Sequence, residues 1–542
     1  MSEELLKACK QLEKAGASSC VVPEDVLNLI PDTTSFQDLN EFLSNNKIES
    51  QDQISVLRAA YATIIKISKN TKRQETSDED ELNDALHGIA GVISALSLPI
   101  CSNTSLDEDT TDYAHLRRKG ELGLQAIEQL INAPIQAPLR LRPLVLLRLA
   151  AFTDVTDPWA TAESSALAHK LLEAQLQTLD ETQIKSLIVE EILTTFIRPL
   201  FSKSRSAAVT ASGRKAEFVE SSRYDTVDRE TPETKPWKYS HRYAVTVFSW
   251  AVEHSDAALL QTHWPSFTPA LLTLLDESHA SLKIRALQIF RSFWSRCPPN
   301  LMQNTGLATV FEDAVFPAVL FLPSLTPEYE SLEILGAAYP ALFEMAGLTY
   351  TNHGPEAGPG LSGSEKQQIT ESRRKLLDKI VREGVMVGYH HTKDHVRLVG
   401  LLCEVLVCII NGMGILAVKH LKDLVPMVSE VMTDPFGTKH PPTLTSATQL
   451  LQAILRNCWP RVPHYCNEIV KILMLCWLNT ENEDSFPDDS PVAKDLKAGL
   501  TQTADMLSAV MKASQVDLHD RVGVLIEKEP QLRSLFKDRT AA

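Results

Sequence analysis

Apolar residues recur along this chain at intervals of three and four, the spacing that lines one face of an α-helix. Over the first two hundred residues the period predicts helices at Glu3–Lys14, Phe36–Leu43, Gln53–Ser68, Glu81–Leu96, Thr111–Asn132, Leu139–Phe152, Ala160–Leu179 and Glu181–Phe196. The apolar/polar alternation of half-buried strands is nearly absent. The one Asn-Gly dipeptide, Asn411-Gly412, lies between helical patterns instead of strands. Pro and Gly fall between the periodic runs, as helix punctuation. The period lapses over 202–236, where SKSRSAAVTASGRK and DRETPETKP are rich in Ser, Thr and charge. That composition predicts a linker or mobile loop beside a domain boundary. Helices resume at Trp237, with further breaks at Asn352–Gly363 and in the acidic loop Asn479–Pro491.

One segment sets the expected architecture: Trp264–Trp294, WPSFTPALLTLLDESHASLKIRALQIFRSFW. A first helix carries Pro269 and a Leu-rich face, a turn follows at Asp276, and a second helix opens at Lys283-Ile284-Arg285. On that helix Leu282, Ala286, Ile289 and Phe293 share an apolar face, while Ser281, Arg285, Gln288, Ser292 and Ser295 share a polar one. The early Pro, the turn Asp and the early basic residue resemble a HEAT repeat. A Pro near a helix start gives up a donor that has no partner there. A turn Asp can accept from the free N–H groups of the next helix. Weaker copies lie at Val310–Met345, Ile380–Ile410 and His420–Trp459 (Pro426, Asp434, then Thr445–Leu455), near the ~40–47-residue period of such arrays. The expected fold is all-α, an α-solenoid of HEAT-like helical repeats, with an irregular helical bundle as the alternative. Its organisation reads as an N-terminal helical region at 1–201, a linker or mobile loop at 202–236 and a C-terminal HEAT-like repeat region at 237–542. Stacked repeats leave an extended surface, which suits protein partners.

Composition agrees with this picture. At 542 residues the chain is too long for a single core. Aromatics make up only 6%, so Leu, Ala, Ile and Val fill the interior, and 21 glycines leave little for phosphate loops. A net charge of −16 repels phosphate backbones and argues against nucleic acid as a partner. The acidic tracts at 75–81, 107–112 and 481–489 read as solvated loops, or alternatively as docking or phosphorylated segments around Ser77 and Ser485. Nine cysteines form no CxxC pair. They read as reduced, buried thiols of a cytosolic or nuclear protein. The N-terminus lacks the pattern of a signal peptide. The apolar stretch Leu398–Val418 is interrupted by Glu404 and Asn411, with Gly412 and Gly414 as breakers. It is expected to be a buried helix, a turn near Asn411 and a second helix, so no membrane span is predicted.

No catalytic signature is present: no P-loop, GxGxxG, GxSxG, HExxH or kinase motif. No catalytic, cofactor-binding or metal site is therefore assigned. His391 and His395 are spaced like zinc ligands, but Lys393 and Asp394 favour an inter-helix turn. Trp459-Pro460-Arg461 is the most distinctive string, a core-capping junction or an interface anchor. In the following segment, CNEIVKILMLCWL, residues Ile469, Ile472, Leu473, Cys476 and Trp477 form one stripe. So wide an apolar surface needs cover on two sides, from the helices after Pro491 or from a partner. The candidate partner-binding residues are therefore Trp459, Arg461, Ile469, Ile472, Leu473 and Trp477.

The order FLPSLTPE at 321–328, AYPAL at 338–342 and CWPR at 458–461 resembles the Tti2 family, over about Trp237–Leu478. That resemblance implies a non-catalytic subunit of the Triple-T complex, with Tel2-like and Tti1-like partners. The complex is a co-chaperone that stabilises and assembles phosphatidylinositol 3-kinase-related kinases with heat-shock chaperone machinery. It implies no cofactor and no enzyme activity, and a cytoplasmic or nuclear location. The competing reading is a transport or trafficking adaptor of the importin or adaptin kind.

Overall fold

The computed structural model describes residues 3–14, 22–45, 48–49, 52–70, 79–101, 110–134, 138–202, 231–298, 301–302, 305–348, 371–481 and 491–536. Every regular element among them is helical. Residues 203–230 of the expected linker, 352–363 and most of the acidic loop lie outside the described residues. The chain forms two compact units, Met1–Leu274 with Arg296–Leu307, and Leu275–Ser295 with Ala308–Ala542. The division falls within Trp264–Trp294.

The first unit holds α1 (Glu3–Lys14), α2 (Glu24–Asn28), α3 (Phe36–Asn45), α4 (Gln53–Asn70), α5 (Glu79–Ser97), α6 (Tyr113–Ile131), α7 (Pro143–Ala150), α8 (Ala162–Leu176), α9 (181–201), α10 (Tyr243–Glu253) and α11 (Ala257–Leu275). Most starts have a visible cause. Asp112 caps α6 through the His115 N–H, Thr161 and Ser164 make a capping box for α8, and Pro143 opens α7 at its first turn. The expected Leu139–Phe152 helix begins later for that reason. Successive pairings reveal the stacking. Arg142 reaches Asp84, and nearly two turns along Arg148 donates to the Gly91 carbonyl (2.6 Å) and Ser94 Oγ (3.1 Å), so α7 runs parallel to α5. Thr161 donates to Glu121 (3.0 Å) and Lys170 pairs with Glu128 (2.7 Å), so α8 runs parallel to α6.

The second unit holds α12 (Ala280–Arg296), α13 (Leu307–Val315), α14 (Glu328–Met345), α15 (371–392), α16 (Val396–Met413), α17 (Leu421–Met432), α18 (Pro441–Asn457), α19 (Cys466–Glu481), α20 (Pro491–Ala513) and α21 (Leu518–Lys528). Here the repeat is explicit. Thr443 Oγ1 donates to the Val396 carbonyl (2.8 Å), Ser446 to Glu404 (3.1 Å) and Asn457 to Asn411 (2.9 Å). These bonds advance together, so α16 and α18 lie parallel, 42–47 residues apart in sequence. Gly400 permits the approach, since a Cβ there would lie 3.1 Å from Thr443 Oγ1. Beside them α15 and α17 are also parallel, joined by Asp378 to Lys419 and His420 at one end and by Tyr389 and Lys393 to Glu430 at the other. His395 lies against Glu328, 67 residues back. The stretch at 349–370 accounts for the extra length in sequence. Paired helices stacked at this period are an α-solenoid of HEAT-like repeats.

Three local expectations are corrected. Pro269 and Pro265 stand inside α11, not near its start, because the helix begins at Ala257. Each removes one backbone bond, and the Thr268 and Thr273 hydroxyls supply extra donors to the Trp264 and Pro269 carbonyls. At the following turn the exposed Asp276 does not cap α12. Glu277 accepts from the Ser278 N–H (3.0 Å), and Lys283, buried and with its pKa lowered by desolvation, donates to the Leu275 carbonyl. The basic residue serves the end of the preceding helix, where free carbonyls sit. The break expected near Asn411 falls at Gly414, whose φ +56° and ψ −133° no side-chain-bearing residue adopts easily.

The run Val396–Met432 is long and apolar enough to cross a membrane, peaking at mean hydropathy 2.3. It consists of α16, a 3₁₀ segment and α17, and the buried face of α16 (Leu398, Leu402, Leu406, Ile409) packs against α14 and α18. The expected apolar face of α12 is realised, with Ala286, Ile289 and Phe293 buried.

Candidate partner-binding surface

Each repeat of the second unit has two ends. At one, a short turn joins the two helices of a pair: 393–395 before α16, and 433–440 before α18. At the other, a 3₁₀ connector leads to the next pair, Gly414–His420 after α16 and Trp459–Tyr465 after α18. The second connector exists because Pro460 and Pro463 cannot donate backbone bonds. Helix α18 closes with the Cys458 N–H on the Ile454 carbonyl (2.8 Å), and the Arg461 N–H then bonds the Cys458 carbonyl (3.0 Å). Val462 points into the core at 1% exposure, which turns Trp459 (54% exposed) and Arg461 outward.

The six sequence-predicted residues therefore separate. Trp459 and Arg461 lie on the surface. Ile469, Ile472, Leu473 and Trp477 are buried within the chain, and Trp477 Nε1–H donates to the Gln531 carbonyl (3.2 Å). Helix α19 packs against α17, α20 and the 3₁₀ turn Pro530–Arg533. The chain's own last helices thus provide the cover that its apolar width demanded.

Sequence reading missed the neighbouring connector. Asn411 and Asn457 bond each other just before their respective connectors, and the 414–420 segment packs on α18. Ile415 (52% exposed) and Leu416 (37%) thereby join Trp459 on one edge. Lys422, Arg456 and Arg461 are exposed and make no ion pair or side-chain hydrogen bond among the described residues. Lys419 and His420 hold Asp378 below the usual carboxylate range despite partial burial. Burial lowers the pKa of His420, against the pull of Asp378. A sequence signal existed: no Asp or Glu occurs at 405–422 or 435–467, in a chain of net charge −16.

Among the described residues no group of three or more His, Cys, Asp or Glu could hold a metal. His391 is exposed, and His395 Nδ1 lies 3.1 Å from Glu328 instead of facing His391 in a site. Eight cysteines are free, and burial raises the pKa of Cys9, Cys297, Cys403, Cys408, Cys458, Cys466 and Cys476, that of Cys403 and Cys476 to about 12; Cys20 lies outside the described residues.

The architecture is that of a helical-repeat scaffold, a solenoid whose stacked pairs present edges and faces. The Tti2 family model matches residues 145–439. The chain belongs to the Tti2 family, a family of non-catalytic scaffold subunits. No curated protein matches the sequence. Solved structures with similar helical arrangement include an engineered protein (15% identity, TM-score 0.37, covering 93% of this chain and 99% of that one). They also include the karyopherin Kap121p bound to the SUMO protease Ulp1p (13%, 0.38, 99% and 52%) and importin beta (11%, 0.31, 99% and 80%). The chain thus spans about half the length of Kap121p.

Proposed function

We propose that this chain is the Tti2-type scaffold subunit of a Triple-T co-chaperone complex. In that role it holds Tel2-like and Tti1-like subunits, and the assembly stabilises newly made phosphatidylinositol 3-kinase-related kinases with heat-shock chaperone machinery. The observation that carries this reading is the family match over 145–439. The repeat architecture supports it, because stacked pairs offer long surfaces without needing a reaction centre. The work takes place in the cytoplasm or nucleus. Trp459 and Arg461, an exposed aromatic beside an unpaired guanidinium, supply the anchor types enriched at interfaces.

Co-expression of the tagged chain with the Tel2-like and Tti1-like subunits tests the reading. A stable three-subunit complex by gel filtration, and a fall in kinase abundance on depletion of the chain, are the expected results. A chain that elutes alone with both subunits present removes the proposal. Recovery of transport cargo in their place supports the adaptor alternative.

A further inference from the structure

The two connectors of the second unit lie side by side, and both expose apolar groups beside cations. Ile415, Leu416 and Trp459 are 52%, 37% and 54% exposed, three apolar groups on one edge. Around them Lys422, Arg456 and Arg461 point to solvent without a partner. Arg382, also exposed, is close enough to depress the pKa of His420, and Lys419 is half-exposed beside it. The acidic groups at this edge are few. Asp378 is held by Lys419 and His420, Asp423 is half-buried, and Glu468 stands on the first turn of α19. Unpaired cations interleaved with apolar side chains are complementary to an acidic segment carrying apolar residues, because charge steers the approach and burial holds the contact.

We propose that this connector edge, built from Ile415, Leu416, Lys422, Arg456, Trp459 and Arg461, docks an acidic protein segment with apolar or aromatic side chains. The proposal rests on the scaffold reading above and names the chemistry of what the scaffold holds. A nucleic acid is disfavoured, since the field of a chain at −16 repels a long polyanion whereas a short segment feels mainly the local cations. The position also fits a repeat protein, in which the same connector recurs from pair to pair and an extended ligand can follow it.

Fluorescence anisotropy on the isolated full-length chain tests it. The probe is a labelled, Asp/Glu-rich peptide containing Leu and Phe, beside a copy with every Asp and Glu changed to Asn or Gln. The acidic peptide is expected to bind, and the neutral copy to bind about tenfold more weakly or not at all. Lys422→Glu with Arg461→Glu should abolish the preference, Trp459→Ala should weaken binding, and raised salt should weaken it further. Arg397→Glu, exposed at the opposite edge, should change nothing. Unaltered circular dichroism of each variant keeps the comparison valid, and Lys422→Gln with Arg461→Gln replaces any variant that unfolds. Equal binding of both peptides, no binding of either, or indifference to charge reversal overturns the proposal. So does binding of single-stranded DNA or phosphatidylserine vesicles while the acidic peptide does not bind. Because no Tel2-like or Tti1-like subunit is present, failure here is separate from failure to assemble the complex.

Discussion

Helices α15 and α17 are tied together twice, and the two ties differ in chemistry. At the turn edge, the Lys393 ammonium and the Tyr389 hydroxyl converge on Glu430, at 2.7–2.8 Å. Lys393 and Glu430 are exposed there, with side chains 40% and 53% accessible. At the connector edge, Asp378 receives Lys419 and His420, with His420 only 2% exposed. Both ties fix the same parallel register. The turn edge pairs Lys393 with Glu430, carries the exposed Arg397 and also bears Glu328, Asp394 and Asp434. Both edges expose apolar groups, Val396 and Phe436 at the turns and Ile415, Leu416 and Trp459 at the connectors, but the connector edge sets three cations, Lys422, Arg456 and Arg461, beside them without an ion pair among the described residues. Packing of a repeat needs the register alone, so the surplus at the connector is available for binding.

The largest expected effect separates buried from exposed candidates. Leu473→Ala in α19 should cost about 2–5 kcal/mol of stability through the cavity it leaves. Trp459→Ala on the connector should change the denaturant midpoint far less, by about 0.5 kcal/mol. Comparable losses in the two variants would return Trp459 to the core.

Next comes the backbone of the first connector. Gly414→Ala should destabilise by about 1–3 kcal/mol, since φ +56° with ψ −133° is strained for any residue with a Cβ. An unchanged melting temperature would mean the connector is free to rewind.

The two ties should also part with pH. The folded-state pKa of His420 lies below its ordinary 6.5, chiefly through burial, so the unfolded chain binds the proton more readily. Its contribution to stability is therefore full above that range and declines as pH falls through 6.5. Glu430 is held below its ordinary 4.5, first by the Lys393 hydrogen bond, so its contribution persists until pH falls below about that value. Denaturant titrations across this range should show His420→Gln flattening the slope near 6.5 and Glu430→Gln leaving it intact. The reverse pattern would contradict the assignment.

Of the two ties, the turn edge is expected to contribute less. Lys393→Ala should cost at most about 1 kcal/mol, as exposed ion pairs do. A larger loss, read from the denaturant midpoint, would make Lys393 a structural tie on a par with the buried one.

Much of the fold could be read from the sequence. The helical period placed Glu3–Lys14 and the starts of α3 and α4 at their observed residues, since amphipathic spacing depends only on which residues can share a face. The short α2 went unnoticed, because a five-residue helix spans too few turns for a period to emerge. The pattern locates the turn after α11 but points to Asp276 as its cap, where the structure uses Glu277 and Lys283. Adjacent polar residues are interchangeable to a pattern and distinct to a hydrogen bond.

The candidate surface was half legible. Trp459 and Arg461 were singled out and stand exposed, while Ile469, Ile472, Leu473 and Trp477 shared the same apolar signal and are buried. A stripe of apolar side chains states that cover is required and does not say what provides it. That cover comes from α20 and the turn at Pro530–Arg533, where Trp477 meets the Gln531 carbonyl 54 residues downstream. The sequence by itself determined helix, period and repeat, because these follow from local spacing and from proline and glycine chemistry. Tertiary structure alone decided which apolar faces close on each other and which connectors meet. Ile415 and Trp459 are 44 positions apart in the chain, and only the parallel stacking of α16 on α18, fixed at Asn411 and Asn457, places them on the same edge.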